Sequence, residues 1–400
     1  MKLRGFTLGR PQQVAALLLL LMFGECLWTI AREPLGANDY RYARCGREMW
    51  EAPSAIAGYF TTCGNLNGDG VFGYRLAGFP LTVQRLALLT ADKFRKPENR
   101  LYAGGSLNGT TWEARHELVD VKWLLRLPFV FFAIWLGGGV WWVSRRLFGN
   151  EGGALALGLY AFCPAVIHAA TRPNNDVLAL WGLYGLVYTY IGVAHALQGP
   201  RRKWKPRILL LTVALGLTAA AHVLAALIGF AAGLVLMMYL AERRRAYALP
   251  IAVYSALGAV VVLFALFGFR ISAFLYVFIG GSARFWFSTE GLRTFFRSPV
   301  ELGITVATMV ALLLWLTTKR SRYFGNTVPL VLFVIVALLY TTQIFTAPWI
   351  WALPFLFTFV GGVFADALET RYRRMFLALT ALVVVAQAAL SIGSIVGFVR

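Results

Sequence analysis

Histidine, cysteine and acid are scarce in this sequence, and each shortage excludes something. There are four histidines and four cysteines in 400 residues, and no spacing of the two matches a zinc ligand set, so no metal is expected. Charged residues make up 14% against 59% hydrophobic ones, which excludes an ordinary soluble globular protein. Internal repeats and low-complexity tracts are missing, and Pro and Gly do not mark off a separate soluble domain. Asp and Glu number 18 against 38 Lys and Arg, a formal net charge of +20. The cations sit in short clusters between apolar runs rather than along one face of a soluble domain. The basicity therefore reads as membrane topology and contact with lipid phosphates, not nucleic acid.

What the sequence has in abundance is apolar runs close to the length of about 20 residues that a bilayer-spanning helix needs. Eleven are present: 13–31, 124–143, 152–171, 176–197, 207–221, 223–241, 248–267, 299–318, 327–345, 348–366 and 375–398. The fifth and sixth form one unbroken stretch, either a long helix or a tight hairpin. Basic clusters fall at every second connection only if that stretch is a hairpin, which predicts eleven spans, a cytosolic N-terminus and an external Arg400. No small-residue cleavage site ends the first run, which is read as a retained span. The expected fold is an all-α polytopic bundle in one domain, 1–400. Its first external loop is long, 32–123, and its second is 268–298. Leu81–Leu89 has an apolar face broken by Gln84 and Arg85, suiting a helix in the interface or one packed on the bundle.

Ionisable groups at the membrane boundary are costly, which makes them functional candidates. Asp39, Asp176 and His222 each fall at the outer end of a span in this topology. Each also has a plainer explanation. Asp39 in "NDYRY" can be a salt-bridged loop residue, Asp176 in "TRPNNDV" a helix N-cap, and His222 a hydrogen-bonded core residue. Cys45 and Cys63 share the first external loop and are expected to form a disulfide, the alternative being two thiols. Arg270, Arg284, Arg293 and Arg297 stand among aromatics in the second loop, fitting either an interfacial anchor or a cradle for lipid phosphate. Asn65–Gly70 is an incomplete calcium-loop pattern read as a turn, and Asn108 matches a glycosylation sequon. Glu25, His168 and Gln343 are expected to hydrogen-bond between helices.

The segment Leu125–Leu186 joins these pieces. Its "LRLP" start, the "RRLFG" turn, a proline in the third span and the Asp opening the fourth occur in the order seen in GT-C glycosyltransferases. It resembles most the protein mannosyltransferase and lipid A aminoarabinose transferase group. "NDYRYARCGREM" is similar to the acidic motif in that group's first external loop. The resemblance implies a GT-C-type bundle that takes a sugar from a polyprenyl phosphate and passes it to a lipid, glycan or protein acceptor on the outer face. By the same resemblance Asp39 is the base, or Asn38 stands where the base would be. Asp176 matches the second acidic position. His222 stands where the group has Lys, and Trp349, Ile350 and Trp351 precede "LP" where it has Arg-Tyr. Phosphate contacts fall to His222, Arg172, Arg270, Arg284, Arg293 and Arg297, with no cofactor beyond the donor and with membrane lipids as partners. The expected location is a bacterial inner membrane with the site on its outer side. A transporter of lipid-linked material and a non-catalytic scaffold are the alternatives.

Overall fold

The computed structural model describes residues 9–51, 70–94, 122–269, 288–342, 348–370 and 372–397. The helices are α1 (Arg10–Arg32), α2 (Ala37–Glu51), α3 (Phe72–Lys93), α4 (Lys122–Ala161), α5 (Pro164–Ala170), α6 (Asn175–Gln198) and α7 (Trp204–Ala221). They continue as α8 (Val223–Leu240), α9 (Ala248–Leu266), α10 (Glu290–Arg297), α11 (Leu302–Thr317), α12 (Phe324–Thr342), α13 (Leu353–Leu368) and α14 (Arg373–Gly397). Among the described residues, 10 helical segments are long and apolar enough to cross a membrane. Their surfaces are inside out relative to a soluble protein. Leu209, Val235, Tyr254 and Val385 are exposed, whereas Thr218, Ser255 and Gln387 are buried. Only lipid makes such exposure favourable over so many helices. The chain is an integral, all-α, polytopic membrane protein.

α4 departs from a single span. Its 40 residues would reach about 60 Å if straight, twice the hydrocarbon core. Instead Gly149, at φ 85°, breaks the helix in a conformation that favours glycine. Beyond it, a Cβ on Gly153 would stand 3.0 Å from Arg145 Cα, although eight residues of continuous helix cover about 12 Å. The two arms therefore double back on each other, and Tyr160 Oη donates to Ala133 O at 2.8 Å between them. The first arm covers the run 124–143, whereas the run 152–171 is divided between the second arm and α5. The second arm stops at Ala161, and Pro164, which has no N–H to leave unpaired, opens α5. The stretch 207–241 is likewise a hairpin, divided at His222, whose φ of −158° and ψ of 120° are extended.

The chain divides into two compact units, Met1–Thr29 with Ala133–His168 and Ala283–Arg400, and Ile30–Phe132 with Ala169–Ser282. In the first, α13 packs with α11, α12 and α14. Apart from Thr358 and Asp366 its sequence is apolar all round, and nearly every residue of it is buried. Gln387 on α14 spends its whole amide there. Its Nε2 donates to Phe162 O and Val300 O at 2.9 and 3.0 Å, and its Oε1 accepts from Ile304 N at 3.3 Å. Glu25 bonds between helices as expected, accepting from Ser391 Oγ at 2.9 Å; Gln343 lies outside the described residues.

In the second unit α2 packs on α3, and α6 to α9 form a helix quartet. Tyr42, Cys45 and Met49 recur at helical spacing on the buried face of α2. The helix carrying Leu81–Leu89 begins earlier, at Phe72, and is tied to α2 by Glu51, which accepts from Thr82 Oγ1 at 3.0 Å and Arg85 Nη1 at 2.6 Å.

Candidate functional site

The end of α1 and the residues between it and α2 are held by two cations one turn apart at the start of α4. Lys122 Nζ donates to Ala31 O at 2.7 Å, and Arg126 donates to Glu33 O at 3.1 Å and Pro34 O at 2.8 Å. A helix end leaves such carbonyls without intrahelical partners, and cations there are favourable. The rest of the Arg126 guanidinium forks onto Asp39, Nε to Oδ1 at 2.8 Å and Nη2 to Oδ2 at 2.9 Å. Asp39, in the first turn of α2, also accepts from Gly36 N at 2.8 Å, as in a capping box. Arg126 is 1% exposed and Asp39 3%, so this is a buried, hydrogen-bonded ion pair. Glu33 extends the alternation of charge: its carboxylate pairs with Arg172 and lies 3.9 Å from Arg126 Nη1.

Aromatic and amide contacts lead from there to the other two candidates. One turn beyond Asp39, Tyr42 stacks on Tyr74 with ring centres 4.1 Å apart and meets Phe129 edge-on at 6.2 Å. The neighbouring Gly73 N donates to Asn175 Oδ1, and Asn175 Nδ2 donates to Gly70 O, both at 2.9 Å. Gly70 N in turn donates to Ala221 O at 2.8 Å. A Cβ on Gly70 would stand 1.8 Å from Ala220 O, so only glycine fits this approach. Asn175 and Ala221 directly precede Asp176 and His222. Asp39, Asp176 and His222 therefore belong to segments docked together at one end of the second unit.

Several expectations change in detail. Asp176 is not the cap of α6. Asn174 has the extended backbone of a cap, and its side chain accepts from Val177 N at 3.0 Å, leaving Asp176 half-buried in the first turn. Arg172 is exposed and paired with Glu33. Asn38 is exposed on α2. Arg293 and Arg297 are exposed on α10, in the first unit, opposite the buried Phe295, whose ring lies 4.5 Å from that of Trp349. Cys45 is disulfide-bonded and buried. Cys63, Arg270, Arg284, Asn108 and residues 65–69 lie outside the described residues.

Sequence reasoning passed over Arg126, Glu33 and Asn175. Arg126 had a readable signal, being the one cation in "WLLRLPFVFF", where a charge needs a partner. Asn175 was hidden beside Asp176, the residue that looks more reactive.

His222 is 4% exposed, and burial pushes its imidazole from 6.5 down to about 4. It is neutral at neutral pH and offers a hydrogen bond, not a charge. Because the folded pKa is the lower one, the unfolded chain binds more protons between the two values. The resulting contribution, roughly 3 kcal/mol, is complete above pH 6.5 and is lost as the pH falls towards about 4. Melting of wild type and His222→Gln at about pH 7 and about pH 4 should show the gap between them narrowing on acidification. An unchanged gap would mean that His222 titrates as in the unfolded chain.

The chain is similar in structure to ArnT from Cupriavidus metallidurans in the apo state, with a TM-score of 0.57 and 17% identity over 92% of this chain and 61% of that one. It is also similar to the Archaeoglobus fulgidus oligosaccharyltransferase in the apo form, with a TM-score of 0.55 and 11% identity over 96% of this chain and 56% of that one. The fold is GT-C-like. At these identities the likeness extends to fold alone, and this chain spans about three fifths of the length of the solved structures it matches. The sequence matches no protein-family model and no curated protein.

Proposed function

We propose that this chain is a glycosyltransferase that moves a sugar from a polyprenyl phosphate to a lipid, glycan or protein acceptor at the outer face of a bacterial inner membrane. The observation that carries this reading is the fixed Asp39 carboxylate at one end of a GT-C-like bundle, in a segment docked with those of Asp176 and His222. A carboxylate has about four acceptor positions. Arg126 and Gly36 fill one on Oδ1 and two on Oδ2, leaving a position on Oδ1 for the acceptor hydroxyl. As that oxygen attacks the anomeric carbon, its proton passes to Asp39 and the bond from carbon to phosphate oxygen breaks. The departing phosphate takes the electron pair. Arg172 and the neutral His222 are assigned to hydrogen-bond it, and Asp176 to orient the acceptor.

The same clamp favours a second reading, a non-catalytic scaffold in which Asp39 only fixes the start of α2. Transfer of radiolabelled sugar from a panel of polyprenyl phosphate donors to membrane extract separates the two. Wild type should transfer, Asp39→Asn should lose about 10²- to 10⁴-fold in rate, and Asn38→Asp should stay near wild type. Transfer that survives Asp39→Asn unchanged would remove Asp39 as base. No transfer by any form from any donor in the panel would favour the scaffold.

A further inference from the structure

Three consecutive arginines, Arg243 to Arg245, behave differently from one another. After α8 the chain turns through Glu242, whose φ of 42° is left-handed, into the short 3-10 stretch Glu242–Tyr247. The turn directs Arg244 inward. It is half-buried, its guanidinium is 5.3 Å from the Trp204 ring, and Nη1 donates to Gly199 O at 3.4 Å. Arg243 and Arg245 stay exposed on either side. Trp204 opens α7 directly after the 3-10 turn Arg201–Lys203, and its ring meets Tyr247 at 5.5 Å. Gln198 at the end of α6 donates to Leu240 O, the last residue of α8, at 2.9 Å. Two basic clusters far apart in sequence are thus one surface where α6, α7, α8 and α9 end or begin. It lies at the far end of the α7 and α8 hairpin from His222.

The exposed cations of this surface are Arg201, Arg202, Lys205, Arg207, Arg243 and Arg245, against a single acid in these segments, Glu242. Among the described residues, no ion pair occupies any of the six. Just beyond the cations the helices turn exposed apolar side chains outward, including Leu209 at 65% and Leu249 at 55%.

We infer that this surface binds the phosphate headgroups of anionic phospholipids. Its height on the bundle is the argument. The cations sit where bilayer-length apolar helices end, level with headgroup phosphates, and Trp204 and Tyr247 are residue types that settle at that level. Guanidinium forks match phosphate oxygens, and juxtamembrane clusters of this size attract anionic lipid. The latch of Arg244 on Trp204 holds the two clusters together before any lipid arrives. A soluble polyanion would have to reach the same cations past the lipid already there.

The test uses the full chain in nanodiscs of mixed phosphatidylcholine and phosphatidylglycerol, with the lipids that stay bound read by native mass spectrometry. Wild type should retain phosphatidylglycerol preferentially, and raised salt should weaken the preference. The variant R201Q/R202Q/R243Q/R245Q should lose at least about tenfold of it, while K319Q/R374Q, which removes exposed cations elsewhere, should keep it. The proposal is overturned by wild type without preference, by the quadruple variant retaining it, or by equal loss in the control. Heparin displacing the bound lipid at low salt would also overturn it, assigning the surface to a soluble polyanion. Should the quadruple variant fail to fold by circular dichroism, the salt titration of wild type decides, and a preference indifferent to salt overturns the inference.

Discussion

Arg126→Gln is expected to cost about 3–5 kcal/mol of stability, because it strands a buried charge. In the folded chain Asp39 is 3% exposed and has Arg126 on both oxygens, and the same guanidinium satisfies the carbonyls of Glu33 and Pro34. Glutamine supplies one amide in place of that fork. Asp39 would keep the Gly36 N–H and little else, in surroundings too dry to hydrate a carboxylate, and at least one carbonyl would lose its donor. Arg126→Lys should recover only part of the loss, since an ammonium is a point charge that does not span two carboxylate oxygens and two carbonyls together. Replacing both partners, Arg126→Leu with Asp39→Leu, should cost less than Arg126→Gln alone, because no charge is then left buried. Unfolding in mixed micelles compares the four proteins. A loss below about 1 kcal/mol for Arg126→Gln would mean that water reaches the pair and that it behaves as a surface ion pair.

How much of this was legible in the sequence follows from the range of each interaction. The long spans announce themselves in local composition: runs 176–197 and 248–267 became Asn175–Gln198 and Ala248–Leu266. The hairpin at His222 was readable from the alternation of basic connections, because topology is set by charges next to each span. The segment of α2 was read as part of the first external loop, and it is a helix. Arg41, Arg44 and Arg47 mask an apolar stripe of Tyr42, Cys45 and Met49, and burial of that stripe against α3 decides the structure. Asp39 stood out as a carboxylate at the membrane boundary. Its partner did not, since Arg126 is 87 residues away and a pair so separated leaves no local pattern. The capping assignment erred because "NND" offers three cap residues in a row, and only the backbone conformation of Asn174 chooses among them.

Gly78→Ala should be among the most damaging single-methyl changes in the second unit, because α2 and α3 cross there backbone to backbone. A Cβ on Gly78 would stand 2.0 Å from Gly46 C, 2.2 Å from Gly46 O and 2.6 Å from Arg47 N; one on Gly46 would stand 2.3 Å from Tyr74 O. No rotamer can relieve contacts with main-chain atoms, so the helices must separate by more than about 1 Å to restore ordinary contact. Overpacking costs about 1–3 kcal/mol where side chains can adjust, and this site belongs at or above the upper end. Separation would also pull on every bond that crosses the pair. Those include Trp50 Nε1 to Arg75 O at 2.8 Å, Arg85 to Glu51 at 2.6 Å and the stack of Tyr42 on Tyr74. Through Tyr42 the strain reaches the turn of α2 that carries Asp39. Gly185→Ala is the matched control: nothing lies within 4 Å of its added Cβ, and Ala favours a helix interior over Gly by up to about 1 kcal/mol. Melting of the two variants side by side should show Gly78→Ala strongly destabilised and Gly185→Ala unchanged or stabilised. Equal behaviour would mean that α2 and α3 do not meet at these glycines.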